Sequence, residues 1–294
     1  MTEVINRAPR TTVVTGFVGC YYFHEVRKAL GQEECSGTFL EREIDIELSK
    51  KGIKVGPGTN KYSRYESGSA IPAKKTLKQI EIIAPGTSEV MNMPLWQALK
   101  PTIKQEDFFD NFYKQLSPRF SNLFYAEGIY GPVRKEYKTK HTRVLLNTFS
   151  LEAFASLIAI YRELKSANKP QSQTRPIKSA IQCLLFYLSI STSLYYFRNE
   201  LFDYITQELE IFSPDDALIR RLNIFEQNKE TGAKKVTDTL SFWREYLDST
   251  DRSQGDSELK EHILAQFNHS HPSNHKDRNN RLKEMYTFIN LDEP

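Results

Sequence analysis

Apolar residues recur at helical spacing in one segment after another along this chain. Leu40, Ile44 and Leu48 fall every four residues; Leu77, Ile80, Ile83 and Ala84 form a second stripe. Phe108, Phe109, Phe112, Tyr113 and Leu116 form a third, residues 151–164 are strongly apolar, and Leu201, Phe202, Ile205 and Leu209 continue the pattern. Val236, Leu240, Trp243 and Leu247 repeat it, as do Leu282, Met285, Tyr286 and Ile289. A period near 3.6 predicts helices throughout. Punctuation agrees: Thr38 and Glu41 have capping-box spacing, Gly52 and Gly68 are suited to left-handed helix stops, and Gly56-Pro57-Gly58 forces a turn. Thr59 or Asn60 is expected to cap a short helix through Tyr65, and Pro94 to sit in the first turn of another. Ser213-Pro214-Asp215-Asp216 reads as a further helix start. Four stretches read differently. Residues 11–23 are β-prone, followed by a short helix over 24–30; 169–176, with Pro170 and Pro176, reads as a linker; 248–257 and 269–280 read as polar loops.

The fold class that follows is mainly α. Its organisation is an N-terminal arm over 1–23, a helix-turn-helix-like domain over 24–100, and a larger all-helical domain over 101–294. A chain of 294 residues with 39% hydrophobic and 26% charged side chains has an ordinary globular composition, and with only 13 Gly and 13 Pro the low-complexity and collagenous classes are excluded. Residues 180–197 include Gln182, Ser189, Ser191, Thr192 and Ser193, too polar for a membrane span of about 20 apolar residues, and predict a buried helix. Phe17-Val18-Gly19-Cys20 faintly resembles a lipoprotein cleavage box, but Thr11, Thr12 and Thr15 interrupt the short apolar stretch before it. Three widely spaced cysteines fit buried thiols in a reducing compartment. The expectation is a cytoplasmic protein without a membrane partner.

The net charge of +3 excludes a uniformly basic nucleic-acid coat, yet it hides an uneven distribution. Residues 50–78 carry eight basic side chains against Glu66 alone, a local balance of +7. Residues 200–262 carry eight against fifteen acids, or −7. A positive stretch on a nearly neutral chain is the footprint of a polyanion site. Inside it lies Arg64-Tyr65-Glu66-Ser67-Gly68, followed by Pro72, Thr76 and Leu77. That order and spacing resemble the recognition helix and following helix of the lambda-repressor-like helix-turn-helix family, over roughly residues 24–99. The turn before the candidate recognition helix, residues 52–59, is about four residues longer than that family's tight turn.

The resemblance implies sequence-specific binding of duplex DNA. Recognition-helix residues reach base edges in the major groove. Asn60, Lys61 and Arg64 have the donors for adenine or guanine edges, and Lys54, Thr59, Ser63 and Lys74 suit phosphate oxygens. Tyr65 is expected to pack inward and Glu66 to be structural. A homodimer or a protein partner through the C-terminal domain, which would dimerise, sense a ligand or recruit, completes the expectation. An adaptor that keeps the helix-turn-helix shape for protein contacts is the alternative, and a nucleic-acid-directed effector enzyme a third reading. No catalytic residue, cofactor or metal site is expected. Gly16 and Gly19 lack the third glycine of a dinucleotide fingerprint, and no H-E-x-x-H, P-loop or G-x-S-x-G is present. His269, His271 and His275 lie in a polar stretch that reads as a loop rather than a metal site.

Overall fold

The computed structural model describes residues 10–56, 58–101, 108–125, 137–212, 243, 246–247 and 251–270. The fold is mainly α; no strand occurs among the described residues. The helices are α1 (Arg10–Ala29), α2 (Gly37–Lys50), α3 (Lys61–Glu66), α4 (Lys74–Glu81), α5 (Pro94–Ala98), α6 (Phe108–Lys114), α7 (Pro118–Phe124), α8 (Thr139–Leu146), α9 (Leu151–Ser166), α10 (Gln171–Ser191), α11 (Arg198–Gln207) and α12 (Arg252–Ser270), with 3-10 segments at Thr87–Asn92 and Ser193–Phe197. The expected helix starts and stripes at 213–216, 236–240 and 282–289, and the three histidines at 269–275, lie at or beyond the limits of the described residues. No single described helix is long and apolar enough to cross a membrane.

The chain divides into two compact units, and the division is not sequential. Residues 192–210 belong with 1–108, while 109–191 belong with 211–294. The first unit is centred on α1, which replaces the expected arm and its β-prone run. Val14, Phe17, Val18, Cys20 to His24, Val26 and Arg27 are all buried along this helix. Such near-complete burial explains the misreading. A helix covered on most sides shows no polar stripe, and Thr11, Thr12, Val13, Val14 and Thr15 favour strands by local preference.

Aromatic contacts tie the returning segment 192–210 into this unit. Phe17 stacks on Phe197 at 5.2 Å, Tyr21 meets Trp96 edge-on at 5.7 Å, and the Tyr204 hydroxyl donates to the Leu99 carbonyl at 2.7 Å. Ser193 donates to Glu25 at 2.6 Å.

Gly16 and Gly19 have a packing role. They stand one turn apart on α1, where the chain leaving α3 crosses it. A β-carbon on Gly16 would lie 2.8 Å from the Gly68 carbonyl oxygen, and one on Gly19 only 2.2 Å from that of Ala70. Both obstacles are backbone, which cannot rotate aside. Glycine in a helix interior costs up to about 1 kcal/mol relative to alanine, so this close crossing has to offset that loss. Gly19→Ala is therefore expected to lower stability by about 1–2 kcal/mol, the overpacking penalty less the gain in helix preference. A urea unfolding curve showing an unchanged or raised midpoint would contradict the crossing.

The second unit is built on α9 and α10, with α8 and α12 against α10. Phe154, Leu157, Ile158, Ile181, Leu184, Leu185 and Phe186 are essentially inaccessible, as are Leu259, Ile263 and Phe267 of α12. The expected linker over 169–176 is shorter than predicted. Helix α10 begins at Gln171 and holds Pro176 within it. Pro176 lies near the helix start, where it removes only one intrahelical bond. The polar stretch from 252 likewise belongs to α12; Asp251 accepts bonds from the Ser253 backbone and hydroxyl and so caps that helix. Three buried hydroxyls of the unit are bonded to carboxylates: Tyr113 and Tyr137 both donate to Glu163, and Tyr187 donates to Asp256 at 2.6 Å.

Candidate nucleic-acid interface

Helices α2, α3 and α4 carry the residues singled out above. On α2 the four-residue stripe is the core contact, with Leu40, Ile44 and Leu48 at most 2% exposed. The helix opens two residues earlier than expected: Ser36 is the N-cap and accepts from the Phe39 N–H. Glu41 is thereby released from the predicted capping box. Its Oε1 instead accepts the Thr59 N–H at 2.9 Å, across the turn. Gly52, at φ 75°, ends the helix as expected, and Ile53 N–H returns to the Leu48 carbonyl at 3.0 Å.

Residues 53–56 and 58–60 then run without helix, and Asn60 stands before α3 in a left-handed conformation, φ 52° and ψ 28°. Asparagine tolerates that region better than most residues, because its short polar side chain bonds locally. Asn60 occupies the expected cap position but makes no side-chain cap, since a left-handed cap residue does not aim its side chain at the following N–H groups.

Helix α3 is only six residues long, and its inner face is aromatic. Tyr62 and Tyr65 are 1% and 4% exposed, and their rings meet edge-on at 5.4 Å. Tyr22 of α1 packs on Tyr65 at 6.3 Å. Tyr65 thus packs inward as predicted. Glu66 is structural, accepting the Gly37 N–H at 3.1 Å and tying the end of α3 to the start of α2. Gly68, at φ 66°, supplies the stop. The Arg64 carbonyl accepts from the Ser69 and Ala70 N–H groups and from the Ser67 and Ser69 hydroxyls, which fixes the exit of the helix. Helix α4 follows an Ala73 cap that offers no side chain, and its first turn holds Lys74 and Lys75 without an acid. Glu81 closes its other end by accepting from the Gly86 and Ser88 N–H groups; the Ser88 hydroxyl first, and then these two N–H groups, hold its carboxyl below the usual range.

The seven predicted contact residues separate into two groups. Lys54, Thr59, Asn60, Arg64 and Lys74 are exposed. Among the described residues Lys54, Arg64 and Lys74 form no ion pair. Lys61 and Ser63 are half-buried and have partners within the protein. The Lys61 ammonium lies 5.3 Å from the Tyr62 ring and near Asp45, whose carboxyl is raised by burial, partly countered by Lys61. The Ser63 hydroxyl is 3.4 Å from that of Thr38. The local surface is less positive than residues 50–78 suggest, because α2 contributes Glu41, Glu43, Asp45 and Glu47. Glu47 is paired with Lys50 at 2.6 Å.

Elsewhere the reactive side chains are quiet. Burial pushes the Cys20 thiol up to about 12 and raises that of Cys183 further. No group of three or more potential metal ligands occurs among the described residues. Two features of the site were not legible in the sequence: Gly37, whose β-carbon would stand 2.5 Å from the Ser63 nitrogen, and the Glu41 bond to the turn. Neither has a local signal, since each depends on residues about 20 positions away or more. No known protein family, no curated protein and no solved structure matches this chain.

Proposed function

We propose that the first unit binds duplex DNA through residues 54–74 and that the protein is a sequence-specific regulator. The observation that carries this reading is the division of labour on and around α3. Its tyrosines are sealed inward, while Arg64, with Lys54, Asn60 and Lys74 on the flanking segments, remains exposed and without an ion pair among the described residues. An exposed, internally uncommitted guanidinium on a short helix has the donors for a bidentate guanine contact, and exposed lysines on both flanks suit phosphates. The second unit, with its own core, would supply dimerisation, sensing or recruitment.

Selection of bound fragments from random duplex DNA tests the reading and defines the site. On the selected duplex, Arg64→Ala is expected to weaken binding by about 1–3 kcal/mol, the worth of a bidentate base contact, with a smaller loss on scrambled DNA. Equal losses on both duplexes would reduce Arg64 to a phosphate contact, and no loss would remove it from the interface. One observation favours a second reading. Phe39 and Ile46, seven residues apart on one face of α2, are 46% and 39% exposed, an arrangement suited to a protein partner. A selection that enriches no sequence would favour that use of the same scaffold.

A further inference from the structure

The turn before α3 is longer than a tight helix-turn-helix turn, yet its described residues contribute no buried side chain. None of the described residues from 51 to 59 is buried, and a β-carbon on Gly52 or Gly56 would meet nothing within 4 Å. Helix α3 is instead gripped by α2 at three places. Before it, the Thr59 N–H donates to Glu41, a carboxylate that is 5% exposed. At its middle, Gly37 lets the Ser63 backbone approach so closely that any side chain there would collide. At its end, Glu66 accepts the Gly37 N–H. The two carboxylate bonds run in opposite directions between the segments. A charged acceptor on a backbone N–H forms one of the stronger hydrogen-bond types, and a largely buried one is shielded from competing water.

We infer that α2, with α1 behind α3, and not the turn, sets the position of α3, and that Glu41 is the positioning residue that makes the long turn harmless. The consequence for recognition rests on the DNA reading above; the mechanical claim does not. Extra length between 52 and 58 is absorbed upstream of the Thr59 tie and never reaches α3. The same segment is then able to carry Lys54 outward without moving the residues that follow.

Three variants of the full chain test this: a Gly-Ser insertion between Val55 and Gly56, Glu41→Ala and Glu41→Gln. Amide exchange of Thr59 is the first readout. Glu41→Ala should accelerate it by about tenfold, since the amide loses its charged acceptor. The insertion should leave it within about twofold, because two added residues change loop closure little. Glu41→Gln, which keeps an acceptor oxygen, should fall between them. The second readout is the ratio of affinities for selected and scrambled duplexes. It should fall by about tenfold in Glu41→Ala, the scale of one lost hydrogen bond, with scrambled binding kept, and recover in Glu41→Gln. The insertion should hold the ratio within about twofold. An insertion that lowers the ratio as far as Glu41→Ala, or Thr59 exchange that ignores Glu41, overturns the inference. Where wild type prefers no duplex, the DNA reading fails and amide exchange alone decides the role of Glu41. Should Glu41→Ala fail to fold, the insertion and Glu41→Gln still carry the test.

Discussion

Acidification from about pH 7 to about pH 4 is expected to destabilise the first unit by about 3 kcal/mol through His24 alone. His24 and Arg27 are each 7% exposed on α1. The imidazole stacks on Tyr196 with ring centres 3.5 Å apart, and its Nδ1 lies 3.3 Å from an Arg27 guanidinium nitrogen. Arginine has no acceptor, so Nδ1 receives that bond and the ring proton sits on Nε2. Protonating Nδ1 would place a second cation in a buried site against the first. Burial, followed by Arg27, holds the His24 pKa down to about 3.

The sign follows from proton binding in the two states. The unfolded chain takes up the His24 proton below its ordinary pKa of about 6.5, whereas the folded protein refuses it until about 3. Stability is complete above the unfolded value and is lost progressively as pH falls toward the folded one. His24→Gln retains an acceptor for Arg27 but does not titrate. Urea unfolding of wild type and variant, both carrying Trp243→Phe so that fluorescence reports Trp96 alone, should show the variant weaker at neutral pH and flatter across this window. Parallel pH profiles would mean that His24 takes up its proton over the same pH range in the folded and unfolded chains.

How far the fold and the candidate interface were legible depends on how local their causes are. Leu40, Ile44 and Leu48 announced a half-buried helix because one face of α2 is polar; α1 gave no such contrast and was misread. Gly52 and Gly68 were legible because left-handed stops have few alternatives. The inward turn of Tyr65 and the structural role of Glu66 followed from their places in one short helix. The partners of Glu41, Gly37 and Lys61 were not legible. Each is fixed by where α2 lies against α3 and its turn, and no spacing within one helix encodes that. The return of residues 192–210 to the first unit was equally hidden, because a chain that leaves a unit and comes back carries no compositional mark of doing so.

On the proposed DNA reading, exposed cations around α3 grip duplex DNA. Binding of this kind releases condensed counterions, so affinity must fall with salt by about 0.9 log units per log unit for each neutralised phosphate. Four to five contacts would give a slope of roughly −4, a modest value in keeping with the four carboxylates of α2. Lys54→Gln with Lys74→Gln should flatten the slope by about 2. Lys61→Gln should leave it nearly unchanged, because Lys61 lies against Tyr62 and near Asp45. Duplex affinity measured from about 50 mM to about 200 mM salt for these three proteins is the most direct test. A steep wild-type slope, reduced by the Lys54 and Lys74 changes and indifferent to Lys61, is the predicted result. Absence of duplex binding even at the lowest salt, or a slope that ignores Lys54 and Lys74, would contradict it.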